Sequence, residues 1–369
     1  MKVPFVDLQA QYQAHKIEID AAIHDILDTS QYMLGPGVRN FEKAFAKYIG
    51  VHDVIAVSDG TNALQVALRA LAIGRGDEVI VPAHTFVATA EAVSLVGATP
   101  VFVDVDPHTH HLTAGLMSGK ITERTKAVIP VHLYGHPVDL DPILELAKAK
   151  NIFVIEDAAQ AQGSIYKGKY VGGSGTVSCF SFYPGKNLGT YGEGGAVATN
   201  NEELAGKIRL IHDHGSNIKY QHDVLGGNFR MSGIEGAVLG AKLPYLDGWN
   251  ESRRAHAAHY RKLLDGVPVD IPRVCDEGVS NYHLFTIQTT TREQRDALQT
   301  FLKERDIATG VHYPIPCHMQ PVYAFLGHTL GDFSVSEKIA STTLSLPMYA
   351  ELTREQIIYV TESVKEFFN

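Results

Sequence analysis

The chain is short of cysteine, of basic charge and of long apolar runs. Its three cysteines, Cys179, Cys275 and Cys317, stand far apart in 369 residues. An odd, widely spaced set argues against a disulfide framework and against a zinc site. Lys and Arg number 32 against 41 Asp and Glu, for a formal net charge of -9. Such a balance gives no global basic footprint for nucleic acid. It leaves room for small anions, because a few local donors hold a phosphate. No stretch of about 18 apolar residues occurs, and the opening MKVPFVDLQAQYQAHK has no signal-like apolar core. These features predict a cytoplasmic protein without a membrane partner. The 18 histidines are scattered and show no HExxH-like spacing, so no metal is expected.

What is present is ordinary globular material, 45% apolar and 20% charged, without repeats or low-complexity tracts. The length predicts one large domain and one smaller one. The first fifty residues read as helical, with a break at Gly35, Pro36 and Gly37. From DVIAV onward, strands and helices alternate: EVIVP, PVFVDVD, AVIPVHLYG and NIFVIED are continuous β-branched runs between helical segments. Strands buried on both faces look like this, as in a parallel sheet covered by helices. VSCFSFYP and GAVATN read as two further strands around a glycine-rich loop. From about Trp249 the pattern changes to ESRRAHAAHYRKLLDG, NYHLFTIQTT, REQRDALQTFLKERD and TREQIIYVTESVKEFF, which read as helix, strand, helix and a closing helix. The expected fold is α/β, with a large domain over 1–248 around a mostly parallel sheet. A smaller α+β domain spans 249–369.

In such sheets, ligands bind where strand C-termini meet loops. The segment SCFSFYPGKNLGTYGEGG carries Lys186 among Gly185, Gly189, Gly192, Gly194 and Gly195. Glycines at this density let backbone approach a ligand. A lysine becomes a nucleophile when its surroundings lower its pKa. Read alone, Lys186 is as readily a solvated turn residue. A Walker phosphate loop is not met, since Asn187 follows the lysine and position 180 is Phe180.

Asp157 ends the run FVIED, 29 positions before Lys186. A carboxylate at a strand end either caps the next helix or pairs with a protonated ring nitrogen. SDGTNAL, residues 58–64, is a turn running into a helix, whose free N–H groups suit a phosphate. Ser181 adds a hydroxyl. Phe86 and His84 in PAHTFVATA are either core residues or, for Phe86, a platform for a flat ring.

These segments together resemble the sugar aminotransferases of the DegT/StrS type, within the aspartate aminotransferase fold of pyridoxal-phosphate enzymes. The likeness runs through PFVDLQAQY, GPGVRNFEKAFAKYIG, SDGTNALQVALRAL, DEVIVPAHTFVATAEAV, IPVHLYGHPVDLD, VIEDAAQAQGS, FSFYPGKNLGTYGEGG, GGNFRMSGIEGAVLGAKL and GVHYPIPCH. The resemblance implies pyridoxal 5′-phosphate as cofactor, with Lys186 as its Schiff-base lysine and Asp157 on the pyridine nitrogen. It implies Gln160 on the ring hydroxyl side, Phe86 stacked on the ring, and Gly60, Thr61 and Ser181 on the phosphate. Asn228 would reach the phosphate from the neighbouring subunit of a homodimer with shared sites.

Within the family, FVDLQAQY, PAHTFVATAEAV, FYPGKNLG and VHYPIPCH resemble the branch that aminates C3 of dTDP-3-keto-6-deoxyhexoses, with glutamate as donor, for surface glycans such as O-antigen or for antibiotics. Tyr183, Lys219, Tyr220, His312, Tyr313 and His318 would then line the sugar-nucleotide site. Lys219 and the histidines of 312–318 would supply cations for the diphosphate. Two other readings stand beside this one. One is amination at C4 of a UDP- or dTDP-linked keto sugar, or of a cyclitol ketone. The other is a non-catalytic regulator that binds pyridoxal phosphate or a nucleotide sugar.

Overall fold

A computed structural model describes residues 1–369. Three helices open the chain: α1 (Leu8–Ala14), α2 (Lys16–Thr29) and α3 (Pro36–Ile49). Strands and helices then alternate through β1 (Asp53–Val57), α4 (Gly60–Ala70), β2 (Glu78–Pro82), α5 (Ala88–Leu95), β3 (Thr99–Val103), α6 (Ala114–Ser118), β4 (Thr125–Val128), α7 (Asp141–Lys150) and β5 (Phe153–Asp157). A ribbon of β6 (Ile165–Tyr166) and β7 (Lys169–Tyr170) leads to β8 (Val177–Ser181) and β9 (Gly195–Thr199). After α8 (Glu202–His212), α9 (Gly233–Lys242) and α10 (Leu246–Leu263) come β10 (Gly278–Val279), β11 (Phe285–Gln288), α11 (Arg292–Lys303), α12 (Ser334–Thr342), β12 (Thr343–Leu346) and α13 (Arg354–Phe368).

Seven strands form the main sheet, in the order β1-β9-β8-β5-β4-β2-β3. Strands β3, β2, β4, β5 and β8 run parallel, and β9 runs antiparallel to both its neighbours. The expected mostly parallel α/β sheet is therefore present. The reversal of β9 has a local cause: it is tied to β8 by the glycine-rich loop and has no crossover helix. Alternate residues of one strand serve opposite cores. Val54 and Ala56 pack with α3, α7 and α9, whereas Ile55 and Val57 pack with α4, α5 and α8. Both faces of the sheet are covered, which is why its strands read as unbroken apolar runs.

A third cluster gathers residues of α10, β11, α11, β12 and α13, among them Tyr260, Phe285, Leu302, Leu346 and Val360. Val3 joins it, pairing with Ile307, so the chain start is fastened to its far end. The sequence reading missed β12, because TLSL follows α12 without a turn signal.

Candidate active site

A cavity of about 850 Å³ opens where the C-terminal ends of β1, β2, β5 and β8 meet the last third of the chain. Asp157 is the last residue of β5 and is only 5% exposed. The Thr89 hydroxyl donates to its Oδ2 at 2.8 Å, and the Ala159 N–H to Oδ1 at 3.2 Å. Burial raises its pKa, opposed by those donors and by the charge of Lys186.

Lys186 lines the same cavity, beyond β8, with its N–H on the Tyr183 carbonyl at 2.8 Å. Burial lowers its amine pKa to about 8, and the negative charge of Asp157 works against that fall. Nucleophilic lysines are made in this way, by desolvation with a limited counter-charge. The next residue is anchored. Asn187 donates to Asn250 Oδ1 at 2.8 Å and to the Asn281 carbonyl at 3.0 Å, and its Oδ1 meets His283 Nδ1 at 3.2 Å.

The third wall is the start of α4. Asp59 caps the helix by accepting from the Asn62 N–H at 2.8 Å. The N–H groups of Gly60 and Thr61 belong to the first helical turn, where no helical acceptor exists. A Cβ at Gly60 would sit 2.7 Å from Ser181 Cβ, so only glycine lets the helix start meet the end of β8. Ser181 Oγ accepts from the Tyr183 N–H at 3.3 Å. Free N–H groups, a hydroxyl, a buried carboxylate and an amine of lowered pKa together fit a phosphate-bearing cofactor with a basic ring nitrogen.

Five more expected residues, Phe86, Gln160, Tyr183, His312 and Tyr313, line the cavity. Phe86, half exposed, has its ring 5.3 Å from that of Tyr313. Gln160 accepts from the Tyr134 N–H at 2.6 Å and donates to the Tyr313 hydroxyl at 3.1 Å. His312 meets Ser345 Oγ at 2.8 Å and stacks on Phe5 at 5.6 Å. Tyr183 completes the set and is 54% exposed.

The other four lie elsewhere. His318 is buried against Phe333, with Nε2 3.1 Å from Glu337 Oε1, so it packs under α12 and does not line the cavity. The Cys317 N–H bonded to the Ala83 carbonyl at 2.8 Å fixes that turn. Lys219, Tyr220 and Asn228 lie between α8 and α9, all exposed and outside the cavity of their own chain. Lys219 Nζ sits 5.1 Å over the Tyr220 ring, and Asn228 accepts from Arg230 Nε at 2.9 Å. The expected cationic histidines also need correcting. Burial and the charge of Lys186 hold His312 at about 4, so its imidazole is neutral at pH 7.

A sequence profile of the DegT/DnrJ/EryC1/StrS aminotransferase family matches residues 13–365. The chain belongs to this family. It is 46% identical to a "Pleiotropic regulatory protein" of Geobacillus stearothermophilus, over 100% of this chain and 99% of that one. It is 45% identical to the dTDP-3-amino-3,4,6-trideoxy-alpha-D-glucose transaminase of Streptomyces venezuelae, over 99% and 96%. The crystal structure of S. venezuelae DesV in complex with a ketimine intermediate superposes with a TM-score of 0.97 at 44% identity, covering 100% and 99% of the two chains. The resemblance read from the sequence is borne out, as are an aminotransferase and its cofactor, pyridoxal 5′-phosphate.

In this aminotransferase a second layer of buried polar groups holds the first. Glu156, beside Asp157, accepts from the N–H groups of Ser174 and Gly175 and from Ser178 Oγ. Burial alone would raise its pKa, but His132 and these donors bring it below the ordinary value. The Val138 N–H donates to His132 Nδ1 at 3.0 Å, so Nε2 carries the proton directed at Glu156 Oε2, 3.1 Å away. The His132 N–H holds the Asp157 carbonyl at 3.1 Å.

Sequence reasoning missed several lining residues: Phe5, Val6, Thr85, Thr89, His283 and Met348. His283 lay inside a segment read simply as strand. Thr89 had a legible signal, a hydroxyl one helical turn after Thr85 at a strand end, but nothing in the sequence pointed it at Asp157.

Proposed function

We propose that this aminotransferase moves an amino group from L-glutamate to C3 of a dTDP-3-keto-6-deoxyhexose, giving a dTDP-3-amino-3,6-dideoxyhexose. The observation that carries the reading is the presence of Lys186, Asp157 and the α4 N-terminus in one cavity. The choice of C3 and of dTDP is supported by the likeness to the S. venezuelae transaminase.

Bound pyridoxal phosphate acts as an electron sink that stabilises negative charge on the substrate carbon. The residues serve it in named ways. Lys186 would tether the cofactor through its amine, and that amine, once freed, would take and carry the proton from Cα of the amino donor. Asp157 would pair with the ring nitrogen and favour its protonated form. Thr89 holds that carboxylate in place. Gly60, Thr61 and Ser181 would hold the phosphate, Phe86 would stack on the ring, and Gln160 would serve its hydroxyl side. Tyr183, His312 and Tyr313 bound the sugar end, with His312 as a neutral hydrogen-bonding group.

The protein works as a cytoplasmic homodimer in this reading. Asn228, Lys219 and Tyr220 serve the partner's cavity, which accords with their exposure outside their own. The cofactor domain is 1–248 and the smaller domain 249–369. The test is to load the enzyme with glutamate and mix it with C3-keto and C4-keto nucleotide sugars. Preferential turnover of the dTDP-linked C3-keto sugar is the expected result. Turnover of the C4-keto sugar alone would replace this substrate with the other.

A further inference from the structure

Lys242, the last residue of α9, is a buried cation that none of the roles above uses. It is 1% exposed. It forms no salt bridge, and Glu351 is the carboxylate whose field reaches it. Its Nζ donates to the Gly189 carbonyl at 2.5 Å. The Tyr191 ring lies 5.1 Å from that nitrogen and the Trp249 ring 5.8 Å. A desolvated ammonium without an anionic partner is costly to keep. An apolar side chain of similar length would fill the space without that cost. What the apolar side chain would lack is a donor for Gly189.

Gly189 closes the loop that carries Lys186. A Cβ there would lie 2.4 Å from the Pro184 carbonyl oxygen and 2.7 Å from that of Tyr183. The turn is thus folded tightly on itself, with Lys186 between its ends. The loop rests on α9 at other points too: the Thr190 hydroxyl approaches the Glu235 carbonyl at 3.5 Å, and a Cβ at Gly192 would meet the Glu235 carboxylate at 2.8 Å. Asn187 anchors the loop on the side toward α10, and Lys242 is the polar anchor on the other side.

We infer that Lys242 is a positioning residue for Lys186: its ammonium clamps the Gly189 carbonyl and fixes the loop that presents the Lys186 amine to the cavity. The inference rests on the reading of Lys186 as the cofactor lysine. The clamp restrains the backbone and leaves the four-carbon stem of Lys186 free to move its amine. Burial lowers the Lys242 pKa to about 8, which still leaves the group mostly charged at neutral pH.

The test compares full-length wild type with Lys242→Met, which keeps the stem and loses the donor, and Lys242→Gln, which keeps a donor. Hydrogen exchange on the cofactor-free proteins comes first. In Lys242→Met the amides of residues 187–191 should exchange about tenfold faster, with those of β5 and α13 unchanged. With cofactor and L-glutamate, the single-turnover rate should fall about tenfold while the glutamate concentration at half-maximal rate stays within about twofold. Lys242→Gln should recover most of both losses. Unchanged loop exchange in Lys242→Met, or a Gln variant as impaired as the Met variant, overturns the inference. Should Lys242→Met fail to fold, Lys242→Gln decides alone: near-wild-type loop exchange supports the clamp, and a rise spread over the whole chain refutes it. Trapping of cofactor on a lysine other than Lys186 would sink the reading beneath, and the exchange result would stand apart from it.

Discussion

At the inner end of the cavity, Asp157 and Ser181 stand on strand ends, nearly buried, beside the first turn of α4. On the solvent side, Tyr183 at the cavity's edge, and Lys219 and Tyr220 outside the cavity of their own chain, stand on loops and are mostly exposed. The inner groups are positioned by the sheet and by a second polar layer through Glu156, His132 and Thr89. The outer groups have few such restraints. Tyr220 is 85% exposed, and its one aromatic contact is with the neighbouring Lys219. Rigid elements hold a reacting group more accurately than loops do. Under the proposed function, the difference teaches that the chemistry is held by rigid elements while the choice of substrate is left to the exposed loops.

Asp157→Ala should have the largest effect. Losing the charge at the ring nitrogen is expected to lower kcat by about 10²–10³-fold, by analogy with removing one preorganised electrostatic group. Steady-state kinetics of the full reaction, with glutamate and the keto sugar, measures it. A loss under tenfold would mean that the inner end is less specialised than its geometry implies.

Gly60→Val comes next. The new side chain would drive into Ser181 and the start of β8. Overpacking of this kind costs about 1–3 kcal/mol. Cofactor affinity should weaken by at least about tenfold for each 1.4 kcal/mol that falls on the bound state. Titration of the apoprotein with pyridoxal phosphate, followed by absorbance, tests it.

Behind both ends lies a set of buried histidines that are neutral in the fold. Burial holds His84 and His111 at about 3 and His110 at about 4. Unfolded, each would take up a proton below about 6.5. The unfolded state therefore binds more protons than the folded one between those values, so stability falls as pH drops through that window. Melting temperature should be level near pH 7 and decline from about pH 6.5 toward pH 4. A level profile down to pH 4.5 would contradict the burial of these rings.

The smallest effect is expected at the outer end. Tyr220→Ala should change the KM for the nucleotide sugar by about three- to tenfold, with the single-turnover rate of the glutamate half-reaction unaltered. A large fall in that half-reaction would erase the contrast between the two ends.

The legibility of the molecule follows the same contrast. Lys186, Asp157 and Gly60–Thr61 could be read because the sheet places strand ends together, and each sits at a strand end with a recognisable turn. The main sheet was legible for a related reason: both faces of each strand are buried, which leaves unbroken apolar runs. His318 was misjudged because it is close to His312 in sequence, while Pro316 and the Cys317 turn send it under α12. His283, Phe5 and the Asn187–Asn250–Asn281 anchor were not legible, since they depend on contacts between distant segments. Val3 paired with Ile307 is the extreme case, with a separation no local pattern encodes.

The proposed chemistry depends on Lys186, and one measurement addresses that residue directly. The purified protein, incubated with pyridoxal phosphate and reduced with borohydride, should carry the cofactor on the peptide containing Lys186 and nowhere else. A reduced cofactor found on another lysine, or an unmodified Lys186 peptide in fully loaded protein, would contradict it.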